Sequence, residues 1–197
     1  MANKTDIFNM ALLELGVSAL ITNIHDTNDN SASILNKIYE TARDEVLKMF
    51  DWNFAEKYRE LTLSKEQSLN PKFSFCFDYP NDCLCARELY EKRKVALKKQ
   101  FKIASGEKGQ KIILTNVNPC ILKYTRKVVN ENYFTSEFSS VLALYLAGKT
   151  GRAITGSEQK ANNALNKFNN AIRIARISNA QEGEEVDEDN KTYIDYR

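Results

Sequence analysis

The chain has 197 residues, a formal net charge of +2, 43% hydrophobic residues and 27% charged residues. This composition is typical of a folded globular protein and excludes a wholly disordered or fibrous chain. No apolar run approaches the roughly 18 residues that cross a bilayer, and the N-terminus lacks a secretory pattern. We therefore expect synthesis in a cytoplasm and no membrane partner.

The first 52 residues carry two amphipathic patterns that predict helices 1 and 2. Thr5 or Asp6 is the predicted N-cap of the first helix, and Gly16 is its predicted stop. Ser31 or Ser33 is the predicted N-cap of the second. Both helices are long enough to pack one apolar stripe against a shared core.

Residues 53–130 show a different pattern, which predicts a β-rich insertion that serves as a docking region. Short runs of β-branched and aromatic residues alternate there with turn signals such as Pro80-Asn81-Asp82. Antiparallel pairing is expected because the connections are short. The predicted strands cover residues 58–63, 73–79, 98–104, 111–117 and 121–129.

Helical periodicity returns in residues 131–178, which predicts helices 3 and 4. Helix 3 is expected to run from Thr135 to Gly148, with Gly151 separating it from helix 4, and Thr155 with Glu158 predicts a capping box. The predicted fold class is therefore α+β, mainly α. It is a four-helix bundle with a β-rich insertion between helices 2 and 3 and an extended C-terminal arm.

Residues 179–197 are predicted to form this arm, which is acidic and flexible. Positions 181–197 hold seven Asp or Glu against two Lys or Arg, a composition too polar to pack alone. Tyrosine and arginine are frequent interface anchors, although a solvated terminus is the alternative. The candidate anchors are Tyr193, Ile194, Tyr196 and Arg197.

The middle of the chain is basic, with nine Lys or Arg against three Glu in residues 87–111. A positive strip of this kind could contact nucleic-acid phosphates with little base specificity. The alternative is that lysines protect an edge strand from pairing with another chain. The candidates for contact with DNA or with a channel are Lys92, Arg93, Lys94, Lys98, Lys99 and Lys102.

The residues that usually carry chemistry form no recognisable pattern. The sequence has no phosphate-binding loop, no H-E-x-x-H or G-x-S-x-G motif and no dinucleotide-binding glycine pattern. His25 is expected at the surface, and Cys76, Cys83, Cys85 and Cys120 are expected to be reduced and packed. We therefore assign no catalytic, cofactor-binding or metal residue and predict that the protein is not an enzyme. Peptidoglycan cleavage by a carboxylate pair remains an alternative.

Several short motifs occur along the chain in a defined order. They are Ala11 to Val17, Ile38 to Asp44, Met49 to Ala55, Tyr79 to Cys83, Leu89-Tyr90, Phe134, Phe138 and Ala143 to Ala147. Together they resemble the podovirus tail tubular protein A family of head-to-tail adaptors. The third motif looks like the family's W-x-F-A entry into the β-region, and the fourth is similar to its Y-x-x-P-x-D-C turn.

This resemblance implies a structural virion protein of the phage neck, assembled in the cytoplasm of a host bacterium. About a dozen copies would form a ring that binds the portal protein and a downstream tail protein, with genomic DNA passing through the lumen. The arm, through Tyr193, Ile194, Tyr196 and Arg197, would bind the portal. A nucleic-acid-binding module that uses residues 87–111 is the alternative function.

Overall fold

The computed structural model describes residues 3–26, 28–66, 68, 70–92 and 94–182, and for residues 94–97 and 182 it describes only the backbone. The predicted arm anchors Tyr193, Ile194, Tyr196 and Arg197 therefore lie outside the described residues, as does Arg93. Within the described ranges, no helix combines the length and the apolar character that crossing a membrane requires.

The described chain contains helices at both ends and strands between them. The helices are α1 (Lys4–Glu14), α2 (Asn30–Met49), α3 (Ser136–Thr155) and α4 (Glu158–Glu182). The strands are β1 (Glu56–Glu60), β2 (Phe75–Asp78), β3 (Cys83–Glu91), β4 (Lys94–Lys98), β5 (Phe101–Ser105), β6 (Lys111–Thr115) and β7 (Cys120–Arg126). Helix 4 thus extends beyond its predicted end at residue 178.

The N-caps of the first two helices differ from those predicted. Asn3 caps α1, and its side chain forms a capping box with Asp6. Asp29 caps α2 by accepting hydrogen bonds from two backbone N–H groups of the first turn. Gly16 follows α1 with a φ of 67°, which fits its predicted role as the stop.

The glycines of α3 allow close helix packing and do not end the helix. A methyl group at Gly148 would lie 2.4 Å from Leu165 Cδ2, and one at Gly151 would lie 3.0 Å from Ala161 Cα. The predicted helix end at Gly148 is therefore wrong. The helix continues to Thr155, and α4 approaches it across the two glycines.

The turn between α3 and α4 also differs from the prediction. Gly156, with a φ of 69°, provides the left-handed residue that ends α3. Ser157 precedes α4, and its hydroxyl accepts a hydrogen bond from the Lys160 N–H at 3.3 Å. The predicted capping box of Thr155 and Glu158 is therefore wrong because Thr155 still belongs to α3.

The predicted four-helix bundle is wrong, whereas the combination of helices and strands agrees with the α+β prediction. In a four-helix bundle each helix buries one stripe against a shared core. Here α3 is the central helix, and α1, α2 and α4 all pack against it. Its buried residues therefore surround the helix axis. They are Phe138, Ser139, Val141, Leu142, Ala143, Tyr145, Leu146, Ala147, Gly148, Thr150 and Gly151.

The strands form two antiparallel sheets. The first sheet has the order β1-β7-β3-β4 and the second the order β2-β6-β5. Strands β3 and β4 were not predicted, because β3 carries charged residues such as Arg87 and Glu88 and is interrupted by bulges. The two sheets enclose a common core that includes Phe77, Leu89 and Ile113. A separate core joins the helices around Trp52.

Candidate docking surfaces and the helix–sheet junction

The basic segment lies mostly in the β3–β4 hairpin, where acids neutralise three of its lysines. The ion pairs are Lys92 with Glu60 at 2.6 Å, Lys98 with Glu88 at 3.1 Å and Lys99 with Glu91 at 3.6 Å. Exposed pairs of this kind add little stability. They do reduce the positive potential that the hairpin offers to phosphate groups.

The other two described lysines among the candidates for contact with DNA or with a channel lie on two different sheet edges. Lys94 belongs to β4, at the edge of the first sheet, and Lys102 belongs to β5, at the edge of the second. Lysine on an edge strand discourages pairing with another chain. This placement favours the edge-protection interpretation over a continuous positive strip.

Arg87 of β3 connects the first sheet to the C-terminal end of α2. Its Nη2 donates to the carbonyl oxygens of Lys48 at 3.0 Å and Phe50 at 2.7 Å. Its Nε donates to Oγ1 of Thr125 on β7 at 2.9 Å. The last carbonyls of a helix have no partner within the helix, and a cation there also interacts favourably with the helix dipole. The sheet therefore supplies the cap of α2.

Lys123 of β7 forms a second connection between the first sheet and the residues that follow α2. Its Nζ lies 3.3 Å from Asp51 Oδ2 and 2.8 Å from Glu56 Oε2. Burial lowers the pKa of Lys123, but the bond to Glu56 and the charge of Asp51 outweigh burial, so that the pKa is raised above its ordinary value. Lys123 is therefore a firmly charged partner for both carboxylates.

Asp51 itself has one unmatched oxygen. Within the described residues, its buried Oδ1 receives no hydrogen bond, because Arg87 Nε stays 3.8 Å away. That distance permits charge attraction but exceeds the length of a hydrogen bond. A buried acceptor without a donor is unfavourable. Asp51 is thus the least satisfied polar group of this junction.

The C-terminal end of α4 contacts the same stretch of chain through Asn179. The Asn53 N–H donates to Asn179 Oδ1 at 3.0 Å, and Asn53 Nδ2 donates to the Asn179 carbonyl at 2.8 Å. Asn179 Nδ2 donates to the Asp51 carbonyl at 3.1 Å and to Asn53 Oδ1 at 3.0 Å. These bonds fix both the backbone and the side chain of Asn53.

One turn earlier on α4, Arg176 reinforces this contact. Its Nη2 donates to the Met49 carbonyl at 3.2 Å, and its guanidinium lies 5.5 Å from the centre of the Phe50 ring. Residues 48–53, which we call the junction segment, therefore bind side chains from α4, β3 and β7. The sequence does not indicate this arrangement, because its members are far apart along the chain.

The turn from Tyr79 to Cys83 is held by Asp82. Lys57 Nζ and the Tyr124 hydroxyl donate to the Asp82 carboxylate at 2.7 Å and 2.9 Å. Burial raises the pKa of Asp82, but these two hydrogen bonds outweigh burial and lower the pKa below its ordinary value. The motif is therefore a structural turn, with its carboxylate fully engaged.

The groups that could support catalysis or metal binding are dispersed. His25 is exposed, as predicted, and burial raises the pKa of both the Cys83 and Cys120 thiols to about 11. A thiol with such a pKa is a poor nucleophile near neutral pH. Over the ranges that the structure describes, no cluster of three or more His, Cys, Asp or Glu side chains could hold a metal ion.

The motif from Met49 to Ala55 coincides with the junction. Trp52 is 1% exposed, its Nε1 donates to the Val46 carbonyl at 3.1 Å, and its ring centre lies 5.1 Å from that of Phe138. Trp52 thus anchors the junction segment in the helical core.

A scan against models of known protein families gives no match for this chain, and a search of curated proteins also gives none.

Proposed function

We propose that this chain is a structural, non-enzymatic subunit of the head-to-tail adaptor of a tailed phage. The observation that supports the proposal is the position of the resembling motif, Met49 to Ala55, at the point where helices and sheets meet. An adaptor must hold its portal-facing and tail-facing parts in a fixed relation. A junction held by hydrogen bonds from α4 and β3 and by an ion pair from β7 suits that task.

In this proposal the helices form the ring wall and the two sheets present the surface for the next tail protein. Residues 183–197 follow α4 and contain six acidic residues, with Tyr193 and Tyr196 near their end. A segment of this composition is well suited to bind a partner. We therefore assign portal binding to it, with Tyr193, Ile194, Tyr196 and Arg197 as anchors.

Assembly with the portal protein of the same phage tests the proposal. Purified full-length chain is mixed with portal, and the product is imaged and weighed by native mass spectrometry. A ring of many copies on the portal is the expected product. If the full-length chain forms no complex with the portal, the adaptor proposal is wrong.

The structure shows where to truncate the chain for the second part of this test. Deletion of 183–197 spares Asn179 and Glu182, so α4 keeps its contacts with the junction segment. We expect loss of portal binding with an unchanged circular dichroism spectrum. The paired substitutions Tyr193→Ala and Tyr196→Ala should weaken binding by at least about tenfold, since buried tyrosines act as hot spots. Lys191→Ala is the control within the same segment.

The nucleic-acid-binding alternative makes a different prediction for the basic segment. A dedicated DNA-binding protein would bind duplex tightly as a single chain and lose affinity steeply as salt increases. Because acids neutralise three lysines of the hairpin, we expect only weak binding of this kind. Fluorescence anisotropy with labelled duplex at increasing salt distinguishes the two functions.

A further inference from the structure

We infer that the junction segment, residues 48–53, couples the C-terminal end of α4 to the first sheet, so that a partner bound after α4 alters the tail-facing sheet. The identity of the two partners rests on the adaptor function proposed above. The coupling itself is a property of the isolated chain. It makes Asn179 and Arg87 positioning residues for assembly.

Elements that are far apart along the chain bind one short segment. Asn179 and Arg176 of α4 bind the backbone of residues 49–53, and Arg87 of β3 binds carbonyls of residues 48 and 50. Lys123 of β7 pairs with Asp51 in the middle of it. A displacement of α4 relative to α2 therefore acts directly on groups that the sheet also binds.

The contact between the junction segment and α4 tolerates little movement. Asn53 and Asn179 exchange hydrogen bonds through both backbone and side-chain atoms, all between 2.8 and 3.0 Å. Hydrogen bonds weaken steeply outside a narrow range of distance and angle. Asn53 must therefore move with Asn179 or lose several bonds at once.

Arg87 has a second possible hydrogen-bond partner close by. Its Nε now donates to Thr125, while the buried Asp51 Oδ1, at 3.8 Å, receives no hydrogen bond from the part of the chain that the structure describes. A shift of about 1 Å would bring Nε within hydrogen-bond distance of Asp51. Arg87 would then exchange a partner in the sheet for one in the junction segment. Coupling between sites requires an element with two such arrangements.

The consequence is an order of assembly. A portal that binds the segment after α4 pulls on Asn179 and shifts the junction segment, which changes the partner of Arg87 next to Thr125. The first sheet then differs between free and portal-bound subunits. The next tail protein can distinguish the two states, so that tail growth follows portal attachment.

The coupling is tested on the full-length chain alone by hydrogen exchange, followed by NMR. In Asn179→Ala we expect the Asn53 amide to exchange about tenfold faster, because it loses its acceptor. Amides of residues 85–88 and 122–126 should also exchange about threefold faster or more. Asn170→Ala, at an exposed position of the same helix, is the matched control and should change neither.

A second variant tests the coupling from the sheet side. Thr125→Val removes the hydroxyl that accepts from Arg87 while keeping the shape of the side chain. Because coupling is reciprocal, we expect changed exchange at Asn53 and in residues 176–182. If each substitution changes exchange only in its own element, the inference is wrong. Circular dichroism verifies that both variants remain folded.

Adding portal separates this inference from the adaptor function. Portal binding should change exchange in residues 122–126 of the wild type, and this response should be lost in Asn179→Ala. A wild type that binds portal without any change in residues 122–126 overturns the coupling but leaves the adaptor function intact. A wild type that does not bind portal overturns the adaptor function, and the exchange of the isolated chain then decides the coupling.

Discussion

A few charged side chains of this protein connect separate elements of the fold. Arg87 presents five N–H donors in a rigid plane, and it uses them on two carbonyls of the junction segment and on Thr125. Lysine, a point charge on a flexible stem, would not reproduce this geometry. Sequence alone placed Arg87 in a basic strip because a one-dimensional charge count cannot show which partners face a side chain.

Asp82 provides a prediction about pH at the residue scale. Its folded-state pKa is lowered, so its stabilising effect is present above the unfolded-state pKa of about 4 and disappears as the pH falls through the folded-state value. We expect Asp82→Asn to be less stable than wild type at pH 7. The difference should shrink steadily below about pH 4. Urea unfolding at a series of pH values measures it.

Lys57→Met provides the companion variant for this prediction. Lys57 donates directly to Asp82, so the two substitutions remove the same interaction. Their effects on the free energy of unfolding should be smaller in combination than their sum. Fully additive effects would show that the Lys57–Asp82 contact does not stabilise this turn. A difference between Asp82→Asn and wild type that grows as the medium becomes acidic would show that the Asp82 carboxylate does not stabilise it.

At the scale of elements, periodicity predicted the helices better than their ends. Apolar spacing located all four helices, but local hydrogen bonding selected Asn3, Asp29 and Ser157 as caps. Glycine is ambiguous in sequence, since it either ends a helix or admits a close neighbour. Gly16 does the first and Gly151 the second, and only the position of Ala161 on α4 distinguishes them.

Gly151 leads to a prediction about helix packing. A methyl group there would meet Ala161 Cα at 3.0 Å and Leu15 Cδ2 at 2.8 Å, and the first of these atoms belongs to a helix backbone. Overpacking of this kind costs about 1 to 3 kcal/mol, and the better helix propensity of alanine offsets at most about 1 kcal/mol. We therefore expect Gly151→Ala to lower the free energy of unfolding, measured in urea.

Gly148→Ala is the matched comparison for this prediction. The methyl group there would meet side-chain atoms of Leu165, which can move more easily than a backbone. We expect a smaller loss of stability than for Gly151→Ala. If both variants are as stable as wild type or more stable, close α3–α4 packing does not depend on these glycines.

At the scale of the whole molecule, sequence predicted the parts but not their connection. Strands and helices are local patterns, whereas the junction joins residues 48–53 to Arg87, Lys123 and Asn179, which lie far away along the chain. The bundle prediction failed for a related reason. Four helical stripes do not show which helix is central. Helix α3 has that place because its buried residues are distributed around most of its circumference.

The junction should make helices and sheets unfold together, and the sequence supplies separate reporters for the two. The single tryptophan, Trp52, lies in the helical core, and the buried cysteines Cys83 and Cys120 lie in the sheets. In wild type, Trp52 fluorescence and cysteine alkylation should change at the same urea concentration. The double substitution Arg87→Met and Lys123→Met removes the side-chain contacts that β3 and β7 make to the junction segment. We expect cysteine alkylation to begin at lower urea than the fluorescence change.

The control for this double variant removes two positive charges elsewhere. Lys102 and Lys108 are exposed, so Lys102→Met with Lys108→Met changes net charge by the same amount without touching the junction. Its two transitions should coincide as in wild type. If the two transitions also coincide in the variant Arg87→Met with Lys123→Met, the sheets still depend on the helices without these two side chains. Cooperative unfolding then comes from packing between the two cores.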